Sequence, residues 1–161
     1  MDIYQFLNEH RIDFIRHDHP PVYTVDDVNR LIPSLPGAKT KNLFFRDKKG
    51  KRHFLVMVPD YKKVDMKKLH IVLESSRISF GSPERLKKHL GIEPGSVSLL
   101  AVVNDKEKEV EVFVDNELWE SDAFQFHPLV NTSTLTVSKE NIMKFLSATG
   151  HTLNAVDVPG N

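Results

Sequence analysis

The chain has 161 residues, 40% of them apolar and 27% charged, the mixture of a folded globular protein with room for one ordinary core. Lys plus Arg and Asp plus Glu each number 22, so the net charge is zero; this argues against wrapping a long nucleic acid and leaves room only for a small contact or a local basic patch. The absence of cysteine excludes a thiol nucleophile, a disulfide frame and thiolate-held metals, and suits a reducing compartment.

In chain order, Met1 to His10 shows no basic leader pattern, and Ile3, Phe6 and Leu7 sit at helical spacing, which predicts a short amphipathic helix over 2–9. No window approaches the roughly 18 to 20 apolar residues of a membrane span, so a cytoplasmic protein without membrane contact is expected. Phe14 to Tyr23 reads as extended, broken at Pro20 and Pro21. Thr24 with Asp27 resembles a capping box opening a helix from Val25 to Leu31, ended by Pro33, Pro36 and Gly37. Phe44 and Phe45, then His53 to Val58, predict two strands of a hairpin turning over Asp47 to Lys51. Asp65 can cap a helix whose Met66, Leu69, His70 and Leu73 share a face. Ser82, Pro83 and Gly91 mark the cap, first turn and end of the next helix.

Val97 to Val103 reads as a strand, answered by Val110, Val112 and Val114 across a turn at Asn104 and Asp105. Thr132 to Ser138 is a further strand, Ser138 caps a helix bearing Ile142, Phe145 and Leu146 and closed by Gly150, and Thr152 to Val158 supplies a last strand. Strands and helices mix without a regular βαβ rhythm. The expected fold is α+β: one domain over 1–161, with a mixed, mostly antiparallel curved sheet flanked by helices.

Familiar catalytic patterns are missing: no G-x-S-x-G, no P-loop, no G-x-G-x-x-G and no H-E-x-x-H. His17 and His19 could put two imidazoles on one strand face, but no third metal ligand is signalled, so the pair reads as a solvated strand end and no metal or cofactor is expected. Carboxylates such as Asp26, Asp27, Glu107, Glu109 and Glu111 cluster at turns and helix ends, where capping and solubility account for them. The lysine runs at 48–51, 62–63, 67–68 and 87–88 read as solvated faces that could together form a phosphate patch.

Three segments place small or polar residues between apolar elements, where loops commonly carry sites. They are K-T-K-N at Lys39 to Asn42; R-I-S-F-G-S-P-E-R-L from Arg77 with G-I-E-P-G-S-V-S from Gly91; and F-H-P-L-V-N-T-S-T from Phe126. Two lysines and an asparagine at the mouth of a core strand need an explanation that packing does not supply.

In this order and at these spacings the segments resemble the YbaK/ProX family of free-standing aminoacyl-tRNA deacylases, which are similar to the editing domain inserted in bacterial prolyl-tRNA synthetases. The resemblance covers nearly the whole chain and is nearest to the ProX branch (the ProXp-ala or PrdX type), which clears alanine mischarged onto proline tRNA. Phe124 to Pro128 lacks a first glycine seen in other branches, and Leu99, not proline, follows Ser98. The resemblance implies an essential lysine at Lys41 with Asn42 beside it, a substrate-binding Arg77 and Ser79, a glycine turn at Gly95, Ser96 and Ser98, and an ester-facing loop at His127 and Pro128. It also implies a partner, the aminoacylated end of tRNA, and through it a connection to prolyl-tRNA synthetase. Oligomeric state is left open.

An aminoacyl ester is already activated, so water can attack it and no triad is required. The protein then has to supply position and charge: Lys41 for the carbonyl or its oxyanion, and His127 as a proton shuttle or a structural histidine. Alternatives are a deacylase for cysteinyl, seryl or non-protein aminoacyl esters, a non-catalytic module that binds aminoacyl ends or regulates proline metabolism, and a small-molecule domain whose lysine meets an anion.

Overall fold

In a computed structural model, which describes residues 2–24, 26, 27, 30 and 35–161, the hairpin foreseen around Gly50 lies at the middle of the fold. Strands β2 (Thr40–Asp47) and β3 (His53–Pro59) pair antiparallel. Their turn is closed by the Asp47 carboxylate, which accepts the backbone N–H groups of Lys51 at 2.9 Å and Arg52 at 3.1 Å, while Gly50 takes a left-handed φ of 70°.

Every residue of β3 is buried, because both faces of this strand are covered. Leu55 and Met57 enter the main core with Phe44, Leu99, Leu100, Val112 and Phe145. Phe54, Val56 and Val58 point the other way, into a smaller cluster with Phe45, Leu69 and Leu73 under helix α2 (Met66–Val72). Period-two alternation on β2 and β3 thus splits the core into two layers with β3 between them.

The five-stranded sheet runs β4 (Ile78–Phe80), β2, β3, β5 (Val110–Asp115), β8 (Leu153–Val156), with antiparallel pairing on the β4–β2–β3 side and parallel pairing from β3 through β5 to β8. A second, three-stranded antiparallel sheet runs β1 (Ile15–Asp18), β7 (Ser133–Ser138), β6 (Ala123–Phe126). Ala38 stitches the sheets together: it gives its N–H to Ala123 O at 2.8 Å and takes the N–H of Gln125 at 2.9 Å. Helices α1 (Ile3–Glu9), α3 (Pro83–Leu90), α4 (Asn116–Trp119) and α5 (Lys139–Thr149) complete the α+β architecture. The capping signals at Asp65, Ser82, Ser138, Gly91 and Gly150 act as expected. The helix expected over Val25 to Leu31 lies largely outside the described residues; at its start, Thr24 Oγ1 accepts the Asp27 N–H at 3.0 Å. Among the described residues, no helix is long and apolar enough to cross a membrane.

One expectation is overturned. Val97 to Val103 is not a strand: Leu99–Asn104 forms a 3₁₀ helix, capped by Ser98 Oγ on the Leu100 N–H at 3.2 Å. All five residues from Leu99 to Val103 are buried, so the run has no polar face from which a period could be read. Strand β5, expected to pair with it, instead joins β3 and β8. A short helix at 116–119 and strands β4 and β6 were not anticipated.

Asp105 holds the exit of that 3₁₀ helix to the start of β5. Its carboxylate accepts the N–H groups of Glu109 at 3.1 Å and Val110 at 2.8 Å and pairs with His151 Nε2 at 2.9 Å. Burial pushes this carboxyl up, but the His151 bond and the two backbone donors more than offset it, leaving its pKa below the usual aspartate value. A depressed carboxylate contributes stability that is present above the ordinary pKa of about 3.9 and is lost as pH falls through the lower folded value. Asp105→Ala should cost about 3 kcal/mol in urea unfolding at pH 7, since two buried donors and one part-buried donor lose their partner. A change below about 1 kcal/mol would contradict this account.

Candidate active site

The first residues of β2 sit where the two sheets meet, and a cleft of about 240 Å³ opens there. Its walls come from the start of β2 (Thr40, Lys41, Asn42), the exit of β3 (Asp60), the end of β6 (Phe126, His127) and the turn at Gly95. The 22–24 segment closes one side, with the Tyr23 ring lying on Gly95: a Cβ at position 95 would stand 3.3 Å from that ring.

Strand alternation sends Lys41 and Asn42 to opposite faces of β2. Asn42 turns toward the main core, where its Oδ1 accepts the Leu99 N–H at 3.0 Å and its Nδ2 donates to Thr40 Oγ1 at 3.0 Å. Thr40 passes the connection on by donating to Gln125 O at 2.6 Å, and Gln125 Nε2 donates to the carbonyls of Leu35 and Gly37, each at 3.1 Å. The polar entry to the strand is therefore fully engaged in holding the seam.

Lys41 faces the other way, and its Nζ donates to the Lys62 carbonyl. Burial holds its pKa below the ordinary lysine value, and the negative charge of Asp60 partly opposes that shift. The result is a half-buried lysine in the cleft lining whose charged form is disfavoured by burial. His127 is also pushed below its usual pKa, chiefly by burial, so its imidazole is neutral at pH 7. Its Nδ1 lies 3.2 Å from Ser133 O, an atom that can only accept, so Nδ1 carries the proton and Nε2 is left as an acceptor. Three threonine hydroxyls line the cleft, and one of them, Thr134 Oγ1, is 2.9 Å from His19 Nε2.

Of the residues singled out in the sequence, the cleft gathers Lys39, Lys41, Asn42, Gly95 and His127. Ser96, Ser98 and Pro128 are buried beside it without lining it; the Ser96 N–H already goes to Glu93 O at 3.0 Å, and Ser98 is spent on its helix cap. Arg77 and Ser79 lie elsewhere. Ser79 pairs with Arg46, at the far end of β2, and both sequence candidates line a separate hollow with Arg46, Lys48 and Lys67. Five residues of strand separate Lys41 from Arg46, roughly 17 Å at ~3.3 Å per residue. Sequence reasoning missed Asp60 and Gln125, and gave no individual role to Thr40 and Thr134, which lie within two of the candidate segments. The one available signal was for Asp60, a lone carboxylate directly after a fully buried strand. Among the described residues no group of three His, Asp or Glu side chains could hold a metal ion.

Comparison with known proteins identifies the family of the chain. The model of the aminoacyl-tRNA editing domain matches residues 19–145. A prolyl-tRNA editing protein, ProX, of Acetoanaerobium sticklandii is 36% identical over 152 residues, covering 94% of this chain and 93% of the relative. Prolyl-tRNA synthetase associated domain-containing protein 1 of Danio rerio is 30% identical over 153 residues, covering 94% of this chain and 83% of the relative. Among solved structures, a candidate trans-editing enzyme for prolyl tRNA synthetase superposes with a TM-score of 0.70 at 15% identity, covering 99% of this chain and 96% of the other, and a hypothetical protein does so at 0.75 and 16%, covering 98% and 99%; at such identities these show the fold alone. The matched domain and the near full-length relatives carry the conclusion: the chain belongs to the aminoacyl-tRNA editing domain family and is a hydrolase of the aminoacyl-tRNA ester bond.

Proposed function

We propose that the chain, working as one domain over residues 1–161 in the cytoplasm, edits in trans: it hydrolyses the alanyl ester of mischarged proline tRNA, with Lys41 as its essential cation. The observation that carries this reading is that a half-buried lysine and a neutral imidazole, Lys41 and His127, line one cleft of only about 240 Å³. Such a space is below the usual range for drug-sized ligands and suits a small aminoacyl group. The names of the relatives tie the reading to prolyl-tRNA, and the ProX-type motifs favour alanine.

In this mechanism water attacks the ester carbonyl. The carbon–oxygen bond to the ribose breaks, and free alanine and the tRNA hydroxyl leave. Lys41 meets the oxygen on which negative charge grows, a contact worth roughly 3 to 4 kcal/mol in the transition state. His127, neutral and fixed in its tautomer by Ser133, can take a proton from the attacking water at Nε2. Asn42 keeps the strand entry in place, and the Gly95 turn borders the aminoacyl group. The proline ring is excluded sterically, which a fitted small cavity does better than a large one can reject a missing methylene, a difference worth only about 10- to 200-fold. Arg77 and Ser79, with Arg46, Lys48 and Lys67, are assigned to the RNA backbone, since no carboxylate lines their hollow.

A second reading has one observation behind it. Thr134 Oγ1 stands beside His19 Nε2, and His19 Nδ1 is 2.8 Å from Pro20 O, so this hydroxyl has a base oriented behind it. A threonine nucleophile would pass through an alanyl-threonine ester.

One set of assays decides. Purified protein is incubated with alanyl-, cysteinyl-, seryl- and prolyl-tRNA(Pro), and ester loss is followed. Wild type should release alanine selectively. Lys41→Ala should lose about 100- to 1,000-fold in kcat; unchanged turnover would refute the role given to Lys41. Thr134→Val should retain turnover if water is the nucleophile, and abolish it if threonine is.

The pH profile gives a further check. Lys41 must be charged, so kcat/KM, corrected for spontaneous ester loss, should decline as pH rises through a pKa below the ordinary ~10.4. Measured on an N-acetylalanyl ester, which has no amino group of its own to titrate, Lys41→Arg should remove that alkaline limb. A limb that persists in Lys41→Arg would assign it to another group.

A further inference from the structure

Asp60 is the single carboxylate among the described residues that line the cleft. It follows directly on β3, and its backbone N–H donates to Lys39 O at 3.2 Å, so the exit of the strand fixes where it stands. Among the described residues its side chain has no hydrogen-bond or ion-pair partner, unlike the other acids near this end of the sheet: Asp115 holds Lys62 at 2.5 Å, and Glu117 lies 3.1 Å from the same ammonium and accepts from Tyr61. Asp60 is half-buried, and its charge acts on the ammonium of Lys41 across the cleft wall. Asp60 offsets part of the positive charge of Lys39 and Lys41 in the lining, and because no cation among the described residues is bonded to its carboxylate it also offers a place for a positive charge that the ligand brings.

An aminoacyl ester brings one. Its α-amino group is largely protonated near pH 7, as an α-amino group with a pKa of about 7.7 to 8.0 is. The ammonium sits on the carbon next to the carbonyl that must meet Lys41. We propose that Asp60 is a positioning residue that receives the α-ammonium of the aminoacyl group, so that the cleft reads both ends of a small dipole: carbonyl oxygen toward Lys41, ammonium toward Asp60. This inference rests on the deacylase reading above. It carries a consequence that reading lacks: the cleft demands a free amino group and spares N-acylated esters, the chemical class of peptidyl-tRNA. A charge-assisted contact of this kind also orients the ester while leaving the side-chain pocket to judge size.

The test compares alanyl-tRNA with N-acetylalanyl-tRNA, which lacks the charge, for wild type, Asp60→Asn and Asp60→Glu. Wild type should favour the free amino ester by roughly 10- to 100-fold in kcat/KM. Asp60→Asn should lose that preference by slowing alanyl-tRNA while leaving N-acetylalanyl-tRNA nearly unchanged, and Asp60→Glu, which keeps the charge, should recover part of it. Circular dichroism and the unfolding midpoint of each variant control for folding. The inference is overturned if Asp60→Asn retains the wild-type preference, or if it slows both substrates equally, which would make Asp60 a support for Lys41 only. If wild type opens neither ester, the deacylase reading fails and takes this inference with it; alanyl turnover with an indifferent Asp60 removes this inference alone.

Discussion

Asn42 joins three separate parts of the chain. Its carbonyl oxygen takes the first N–H of the buried 3₁₀ helix at Leu99, its amide nitrogen reaches Thr40, and through Thr40 the connection extends to Gln125 on the other sheet. Each of these groups lies at the seam between the sheets and would otherwise be a half-buried polar atom without a partner, at a cost of about 1 to 3 kcal/mol each. The cleft exists because the seam is held by side chains reaching across it rather than by continuous strand pairing. The sheets approach through the single stitch at Ala38, and the space beyond that stitch stays open.

The same strand alternation that commits Asn42 to the seam frees Lys41 from it. On the opposite face, Lys41 is held by the carbonyl of Lys62, and Lys62 is held in turn by Asp115 at 2.5 Å and Val158 O at 3.0 Å. The Lys41 ammonium is thus fastened, through one backbone oxygen, to the end of β5 and the segment after β8. This arrangement fixes the position of Lys41 without neutralising it. A carbonyl is a dipole and not a counter-charge, so burial still depresses the lysine pKa and the ammonium keeps its demand for a negative partner. An oxyanion forming on a substrate meets that demand; a tight salt bridge would already have satisfied it.

The parts of the fold that were legible in the sequence are those set by local rules. Asp65, Ser82 and Ser138 cap helices with their own side chains, Gly91 and Gly150 end them in left-handed conformations, and the Gly50 turn closes a hairpin. What was not legible is set by long-range burial. Leu99 to Val103 are buried on every side, so the run fits a strand and a 3₁₀ helix equally well, and only its packing decides. Assigning it as a strand also hid the parallel pairing of β5, because a nearby partner appeared to be available. At the site, motif spacing brought out Lys41, Asn42, Gly95 and His127, which do share a cleft. Arg77 and Ser79 came from the same kind of reasoning, but β4 pairs with the far end of β2 and carries them away. Asp60 belongs to no motif. It enters the cleft only because β3 ends beside Thr40, a register set by the whole hairpin.

This geometry also gives a meaning to the zero net charge. A chain with balanced charge has no long-range pull on RNA, so the polyanion must be engaged by local separation of charge. The described structure separates charge in two places. At the far end of β2, Arg46, Lys48, Lys67 and Arg77 share a hollow that no carboxylate lines. At the near end, two lysines, Lys39 and Lys41, and one carboxylate, Asp60, share a small cleft. The first suits phosphates, which carry only negative charge, and the second suits an ester that carries an ammonium beside its carbonyl. A cleft lined by cations alone would bind the RNA end in any state, acylated or not. A carboxylate at Asp60 opposes the binding of bare phosphate there, whereas an acyl group that carries an ammonium does not meet that opposition.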